Sequence, residues 1–112
     1  MAETSDLVSS ICTGAALLAQ AGLLEGYRAT TNKRAFAWVT SHGKNVLWRS
    51  RARWVEDGKR WTSSGIAAGI DMAAAMIARW EGQEVCHQVL ERAEIEVSLD
   101  PDSDPFALDC GC

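Results

Sequence analysis

The chain has 112 residues, 47% hydrophobic and 23% charged, with a formal net charge of −4. That leaves room for one domain with one modest core, and only two prolines and nine glycines argue against a disordered chain. No apolar run reaches the roughly 18–20 residues of a membrane span, and Met1-Ala2-Glu3-Thr4-Ser5-Asp6 lacks the basic and apolar regions of a secretory signal, so the expectation is a cytoplasmic protein.

Asp6-Leu7-Val8-Ser9-Ser10-Ile11 is short and partly β-branched and predicts a buried strand. It runs straight into Cys12-Thr13-Gly14 and then Ala15 to Leu24, a run of strong helix formers ending at Gly26. That helix is apolar on nearly every face and is expected to be enclosed on most sides. Arg28-Ala29-Thr30-Thr31 reads as a short strand. Asn32 then caps a predicted helix from about Lys33 to Ser41, with Phe36, Trp38 and Val39 inward and a stop near Gly43.

Trp54-Val55-Glu56 and Lys59-Arg60-Trp61 flank Asp57-Gly58, a dipeptide that favours a two-residue type I′ hairpin loop. That register sets Glu56 opposite Lys59 and Trp54 opposite Trp61, and both indoles are read as packing groups. An alanine-rich helix follows from Ile66 to Trp80, with Ile66, Ile70, Ala73, Ile77 and Trp80 as its apolar positions. A last helix runs from Gln83 to Ala93 or Glu94, and Asp100-Pro101-Asp102-Ser103-Asp104-Pro105 predicts an acidic surface turn. Strands alternating with helices indicate an α/β layered fold.

Charge is unevenly spread. Tyr27 to Arg60 holds nine Lys/Arg against two acids, and Glu81 to Asp109 holds nine acids against one arginine. A basic patch for an anionic ligand and neutralisation between the two halves both fit this pattern, and no nucleic-acid motif accompanies it. Cys12, Cys86, Cys110 and Cys112 lack zinc-site spacing, and His42 and His87 are isolated, so no metal is expected. Cys86 reads as a small core residue.

Cys12 has a chemical context. At a sharp strand-to-helix turn it sits at the carboxyl edge of a sheet, where α/β ligand sites form. A following helix N-terminus favours thiolate. The N–H groups of Thr13 and Gly14 are candidate donors to a developing negative charge, and Gly14 leaves room for close approach. A reactive thiol and a merely buried one both remain open on these grounds.

The ordered segments Ser10-Ile11-Cys12-Thr13-Gly14-Ala15, Ala21-Gly22-Leu23-Leu24-Glu25-Gly26 and Arg28-Ala29-Thr30-Thr31 resemble ThiJ/PfpI proteins of the class I glutamine amidotransferase-like superfamily. Arg53 to Gly58, Trp61 to Gly65 and Ala68 to Met72 continue the resemblance, and Asp100-Pro101-Asp102 with Asp104-Pro105-Phe106 is similar to a C-terminal extension of fungal members. The resemblance implies a partial flavodoxin-like α/β sandwich with a β-hairpin. Residues 1–99 would form the C-terminal half of a family domain, without its N-terminal half, and 100–112 an acidic tail. It implies Cys12 as the nucleophile, with Thr13 following it as in isonitrile hydratase-like members. Thr13, Gly14 and Asn32 would hold the oxyanion or substrate. In such members the thiolate attacks the terminal carbon of an isonitrile, and water then gives an N-substituted formamide.

Asn32 stands where many relatives have His, and its amide can orient a ligand but not transfer a proton at neutral pH. Ala67 stands where many carry Ser or Thr, and Asp71 matches a family position read as structural. Neither cofactor nor metal is implied. The expected partners are a small-molecule substrate and a second copy or another chain that supplies the missing half, not nucleic acid or a membrane. The alternatives to an enzyme are an inactive structural or oligomerisation protein and a cysteine-based redox sensor.

Overall fold

The computed structural model describes residues 7–98 and 100–104. Its elements are β1 (Val8–Ser10), α1 (Gly14–Gln20), β2 (Arg28–Ala29), α2 (Phe36–Thr40), β3 (Leu47–Trp48), β4 (Trp54–Asp57), β5 (Arg60–Ser63), α3 (Ile66–Glu81) and α4 (Gln83–Ala93). Three strands form a mixed sheet in the order β1-β5-β4, with β1 parallel and β4 antiparallel to β5. β2 and β3 form a second, parallel pair. The predicted α/β class is observed. Cys110 and Cys112, Asp6 and the end of the tail lie outside the described residues.

α1 stops earlier than expected because the first glycine ends it. Gly22 adopts φ +79°, its N–H bonds the Ala19 carbonyl at 3.1 Å, and the Leu23 N–H reaches back to Leu18 at 2.9 Å. That double return is a Schellman stop, which a residue free of a Cβ makes without strain. The helix buries Ala15, Ala16 and Ala19 against Leu24, Ala29 and Val39, which form the first core. Its other side is open, with Leu17 76% exposed, so the expectation of a helix covered on most sides is not met among the described residues.

The hairpin is present, but its register is moved from the expected one. Asp57 pairs with Arg60, Glu56 with Trp61 and Trp54 with Ser63, so the loop is Gly58-Lys59 rather than Asp57-Gly58. Gly58 has φ +60° and Lys59 does not share the positive value, the pattern of a II′ turn with glycine first. Asp57 stays in the strand, where its carboxylate accepts the Arg28 N–H at 2.8 Å and stitches β2 to β4. Moving the partner by two residues preserves the alternation of faces. Trp54 and Trp61 therefore still share one side, where they pack with Met72 as the second core.

α3 turns the opposite face inward from the one its large apolar residues predict. Ile66, Ile70 and Trp80 are exposed, while Ala68, Gly69, Asp71, Met72 and Ala74 are buried. Space decides this. A Cβ on Gly69 would lie 2.8 Å from Ile11 Cγ2, so only a small-residue face can approach β1 this closely. Trp80 is nonetheless held edge-on to Trp61, ring centres 6.0 Å apart. In α4, Cys86 is buried as expected, its thiol on the Ala74 carbonyl at 3.2 Å.

The expected helix from Lys33 shrinks to α2. Its N-cap is Ala35, without a side-chain cap, and Trp38 is 59% exposed against the edge of His42. Asn32 does not cap it. Lys33 is the reason: its side chain turns inward, and the backbone follows it instead of entering a helix. The C-terminal turn is also partly internal. The Arg53 and Trp54 N–H groups both bond the Pro101 carbonyl, and Asp104 is buried although Asp100 and Asp102 are exposed. Asp71 is buried, paired with Arg53 and accepting the Ser98 N–H at 3.0 Å. No helix among the described residues is long and apolar enough to cross a membrane.

Two stability effects are expected. The Arg28 N–H, bonded to Asp57, holds that carboxyl below its ordinary range, with the Arg28 side chain adding to the shift. A folded value below the unfolded one gives stability that is present above the unfolded value, near 3.9, and lost as the pH falls through the folded one. Asp57→Asn should lower the unfolding free energy from urea melts at pH 7 by about 1 kcal/mol, and the difference from the parent should vanish in acid below the carboxylate range. The Ser10 hydroxyl, by contrast, is buried without a hydrogen-bond partner among the described residues. Ser10→Ala should raise the unfolding free energy by roughly 0.5–1 kcal/mol, since it removes an unsatisfied polar group at little loss of packing.

Candidate functional site

β1 ends at Ser10, and the chain turns through Ile11 and Cys12 into α1. Cys12 takes φ +57°, in the left-handed region that a side-chain-bearing residue enters only under constraint. Two hydrogen bonds supply that constraint. The Cys12 N–H donates to the Ser64 carbonyl at 2.9 Å, and the Thr31 hydroxyl donates to the Cys12 carbonyl at 2.6 Å. The elbow is thus held from one side by the segment after β5 and from the other by the segment after β2.

The thiol itself is partly exposed and has no hydrogen-bond partner among the described residues. The two expected donors differ. Gly14 gives its N–H to the Ile11 carbonyl at 3.1 Å, so that donor is engaged, whereas the Thr13 N–H has no acceptor among the described residues. A Cβ on Gly14 would meet only Ser10 Cβ at 3.5 Å, an ordinary contact, so nothing in the described chain forces a glycine there. Asn32 is brought to the elbow at one remove. Its side-chain oxygen lies 3.4 Å from the Thr31 hydroxyl that bonds Cys12. Cys12, Thr13 and Asn32 therefore gather at one end of the sheet.

Sequence reasoning missed the layer beneath. Thr30, Thr31, Lys33, Thr62, Ser63, Ser64 and Asp104 are all buried. The Lys33 ammonium donates to Thr30 Oγ1 at 2.8 Å, to the Thr31 carbonyl at 3.0 Å and to the Ala52 carbonyl at 2.8 Å, and stands 3.5 Å from Asp104. Burial pulls this ammonium below the ordinary lysine value, against the opposing pull of Asp104. The only sequence signal was the three consecutive polar residues Thr30-Thr31-Asn32 before a lysine, which a solvated turn explains equally well.

Part of the charge is paired within the fold. Arg28 pairs with Asp57, Arg53 with Asp71, Lys33 with Asp104 and Arg79 with Glu56. Of these four, only Lys33–Asp104 joins the basic stretch to the acidic one; Arg28–Asp57 lies within the basic stretch, and Asp71 and Arg79 belong to neither. A cleft of about 740 Å³ opens between Arg28, Trp48, Arg49, Arg51, Trp54 and Pro101, but none of the elbow residues lines it. Among the described residues no three His, Cys, Asp or Glu side chains come together as a metal site would require.

The chain as a whole is similar to known proteins. The chain is 34% identical over 106 residues to the isonitrile hydratase of Pseudomonas putida, covering 90% of this chain and 45% of the hydratase. It is 37% identical over 86 residues to the HTH-type transcriptional regulator CdhR of Pseudomonas aeruginosa, covering 76% of this chain and 25% of the regulator. Its structure superimposes on a ThiJ/PfpI family protein from Pseudomonas syringae with a TM-score of 0.64 at 29% identity, over 89% of this chain and 38% of that one. The chain thus spans less than half the length of the relatives it matches. The DJ-1/PfpI family pattern matches residues 1–79, which include the elbow, the buried polar layer except Asp104 and the whole hairpin, and the chain belongs to that family.

Proposed function

We propose that Cys12 is a nucleophile and that the chain carries the thiol half of an isonitrile-hydrating site. The observation that supports this most is the left-handed Cys12 at the strand–helix elbow, with its thiol partly exposed and the adjacent Thr13 N–H unclaimed. A sulfur on such a turn is presented to a ligand rather than packed into the core. In the reaction, the thiolate forms a bond to the terminal isonitrile carbon, which takes up a proton to give a thioimidate. Water adds to that carbon, the C–S bond breaks, and an N-substituted formamide leaves. Thr13 N–H and Asn32 are the groups that would orient the reacting carbon and nitrogen.

Protonation of the isonitrile carbon needs an acid. The buried carboxylates among the described residues are Asp71, held by Arg53, and Asp104, beside Lys33. Neither hydrogen-bonds the thiol, so the acid belongs to a segment beyond this chain's described part or to another chain. β1 offers a place for it. β1 is an edge of the three-stranded sheet, and Ile11, Leu17, Ile66 and Ile70 leave exposed apolar surface on and around the elbow. Such an edge and patch favour association. A second copy of the chain, or a partner equivalent to the remaining length of the relatives, would cover both.

A second reading has its own support. The unpartnered thiol and the similarity to a transcriptional regulator fit a domain that binds or senses without turnover, as an inactive interaction module or a cysteine-based redox sensor.

Under the first reading, formamide release from a simple alkyl isonitrile should be detectable by mass spectrometry and absent from Cys12→Ser. Equal turnover by the two proteins would exclude the mechanism. With limiting iodoacetamide, Cys12 should be modified at least about tenfold faster than the buried Cys86, as read by peptide mapping. In sedimentation velocity the chain should associate with rising concentration, and Ile66→Glu should move it toward monomer. A parent chain that stays monomeric and cooperatively folded would remove the case for the β1 face as an interface.

A further inference from the structure

The bonds around Cys12 close on themselves. The Thr31 hydroxyl donates to the Cys12 carbonyl at 2.6 Å, and the Thr31 carbonyl in turn accepts from Lys33 Nζ at 3.0 Å. Lys33 Nζ stands 3.5 Å from Asp104 Oδ2, the same oxygen that accepts the Ser64 hydroxyl at 2.7 Å. The Ser64 carbonyl accepts the Cys12 N–H at 2.9 Å, which completes the circuit. The side chains of Lys33 and Asp104 are 2% and 3% exposed, so their attraction is little screened by water. Thr31 and Ser64 are buried as well.

We infer that Lys33 and Asp104 are positioning residues for Cys12, acting through Thr31 and Ser64 to hold the elbow in its left-handed conformation. The inference rests on the reading of Cys12 as the reactive thiol, and assigns part of its reactivity to a buried ion pair that touches neither the sulfur nor a substrate. A left-handed non-glycine residue is strained and persists only where its surroundings over-determine it. Here both backbone polar groups of Cys12 are fixed, and each fixing residue is tied to one member of the pair. Loss of any link lets Cys12 relax toward ordinary φ and moves the thiol from its present position. Asp104 belongs to the C-terminal turn bonded to Arg53 and Trp54 through Pro101, so that turn is part of the elbow's support.

Thr31→Val and Ser64→Ala remove one hydroxyl each and leave the ion pair in place, so both should fold. Lys33→Met with Asp104→Asn removes the charges. Two readouts are needed: amide exchange of Cys12 by NMR, referenced to Val8, and the pH profile of Cys12 alkylation. Thr31→Val does not touch the Cys12 N–H bond to Ser64. Even so, its loss should lower Cys12 protection roughly threefold to tenfold, leave Val8 unchanged, and shift the alkylation profile. Ser64→Ala should act in the same direction, the double variant should exceed either, and Thr31→Ser should restore the parent behaviour. Folded Thr31→Val and Ser64→Ala proteins whose Cys12 exchange and alkylation profile superimpose on the parent's would overturn the inference. If parental Cys12 alkylates no faster than a free model thiol, the nucleophile reading fails, while amide exchange still decides whether the circuit holds the elbow.

Discussion

A single ammonium group, taken out of water, organises the described part of this protein. Lys33 Nζ is satisfied by a hydroxyl and two carbonyls and stands beside one carboxylate, and those partners come from β2's extension, from the loop before β4 and from the C-terminal turn. A buried charge is costly unless it is paired and its donors are filled. Three segments distant in sequence are therefore obliged to meet at one point. The retreat of α2 from Lys33 to Phe36, the internal position of Asp104 and the polar floor under the elbow all follow from that obligation.

Polar stitching of this kind also joins the two sheets. No ladder connects β2 to the hairpin; the Arg28 N–H uses the Asp57 carboxylate, and the Thr30 N–H uses the Thr62 hydroxyl at 2.9 Å. Arg60 adds a third tie, with its guanidinium 4.7 Å from the Tyr27 ring centre and its Nε on the Leu23 carbonyl at 2.8 Å. The two small apolar clusters, one on α1 and one on α3, are thus held together by side chains reaching backbone groups rather than by shared hydrophobic volume. Chemistry at the elbow depends on both, because its two backbone anchors come from opposite sides of this seam.

Features written into short stretches of sequence were legible there, and features set by distant residues were not. The elbow could be read because a β-branched run meets Cys-Thr-Gly and then a string of helix formers. The hairpin could be read from Asp57-Gly58, yet its register could not, since Arg28, far off in sequence, claims the Asp57 carboxylate and keeps that residue in the strand. Periodicity marked α3 correctly as a helix and marked the wrong face as buried, because the close approach of Ile11 to Gly69 selects small residues. β3 is two residues long and carries no pattern to detect. Lys33 was invisible for the same reason: a lysine in a polar turn looks solvated until the partners for its ammonium arrive from elsewhere. Of the proposed site, Cys12 and Thr13 were suggested by local pattern and Asn32 by the resemblance, while the Gly14 donor proved to be engaged and the Lys33–Asp104 pair emerged only in three dimensions.

The Pro101 carbonyl, shared by the Arg53 and Trp54 N–H groups, bears on symmetry. It takes the Trp54 N–H at the start of β4, and among the described residues no strand lies beside β1 on its free margin. A sheet open at both ends can add copies without limit, in the manner of a fibril. One open at β1 alone can meet another copy only through the same strand on each, related by a two-fold axis, and that pairing uses up the available margin. The turn that carries Asp104 thus also keeps part of the β4 margin from meeting another strand.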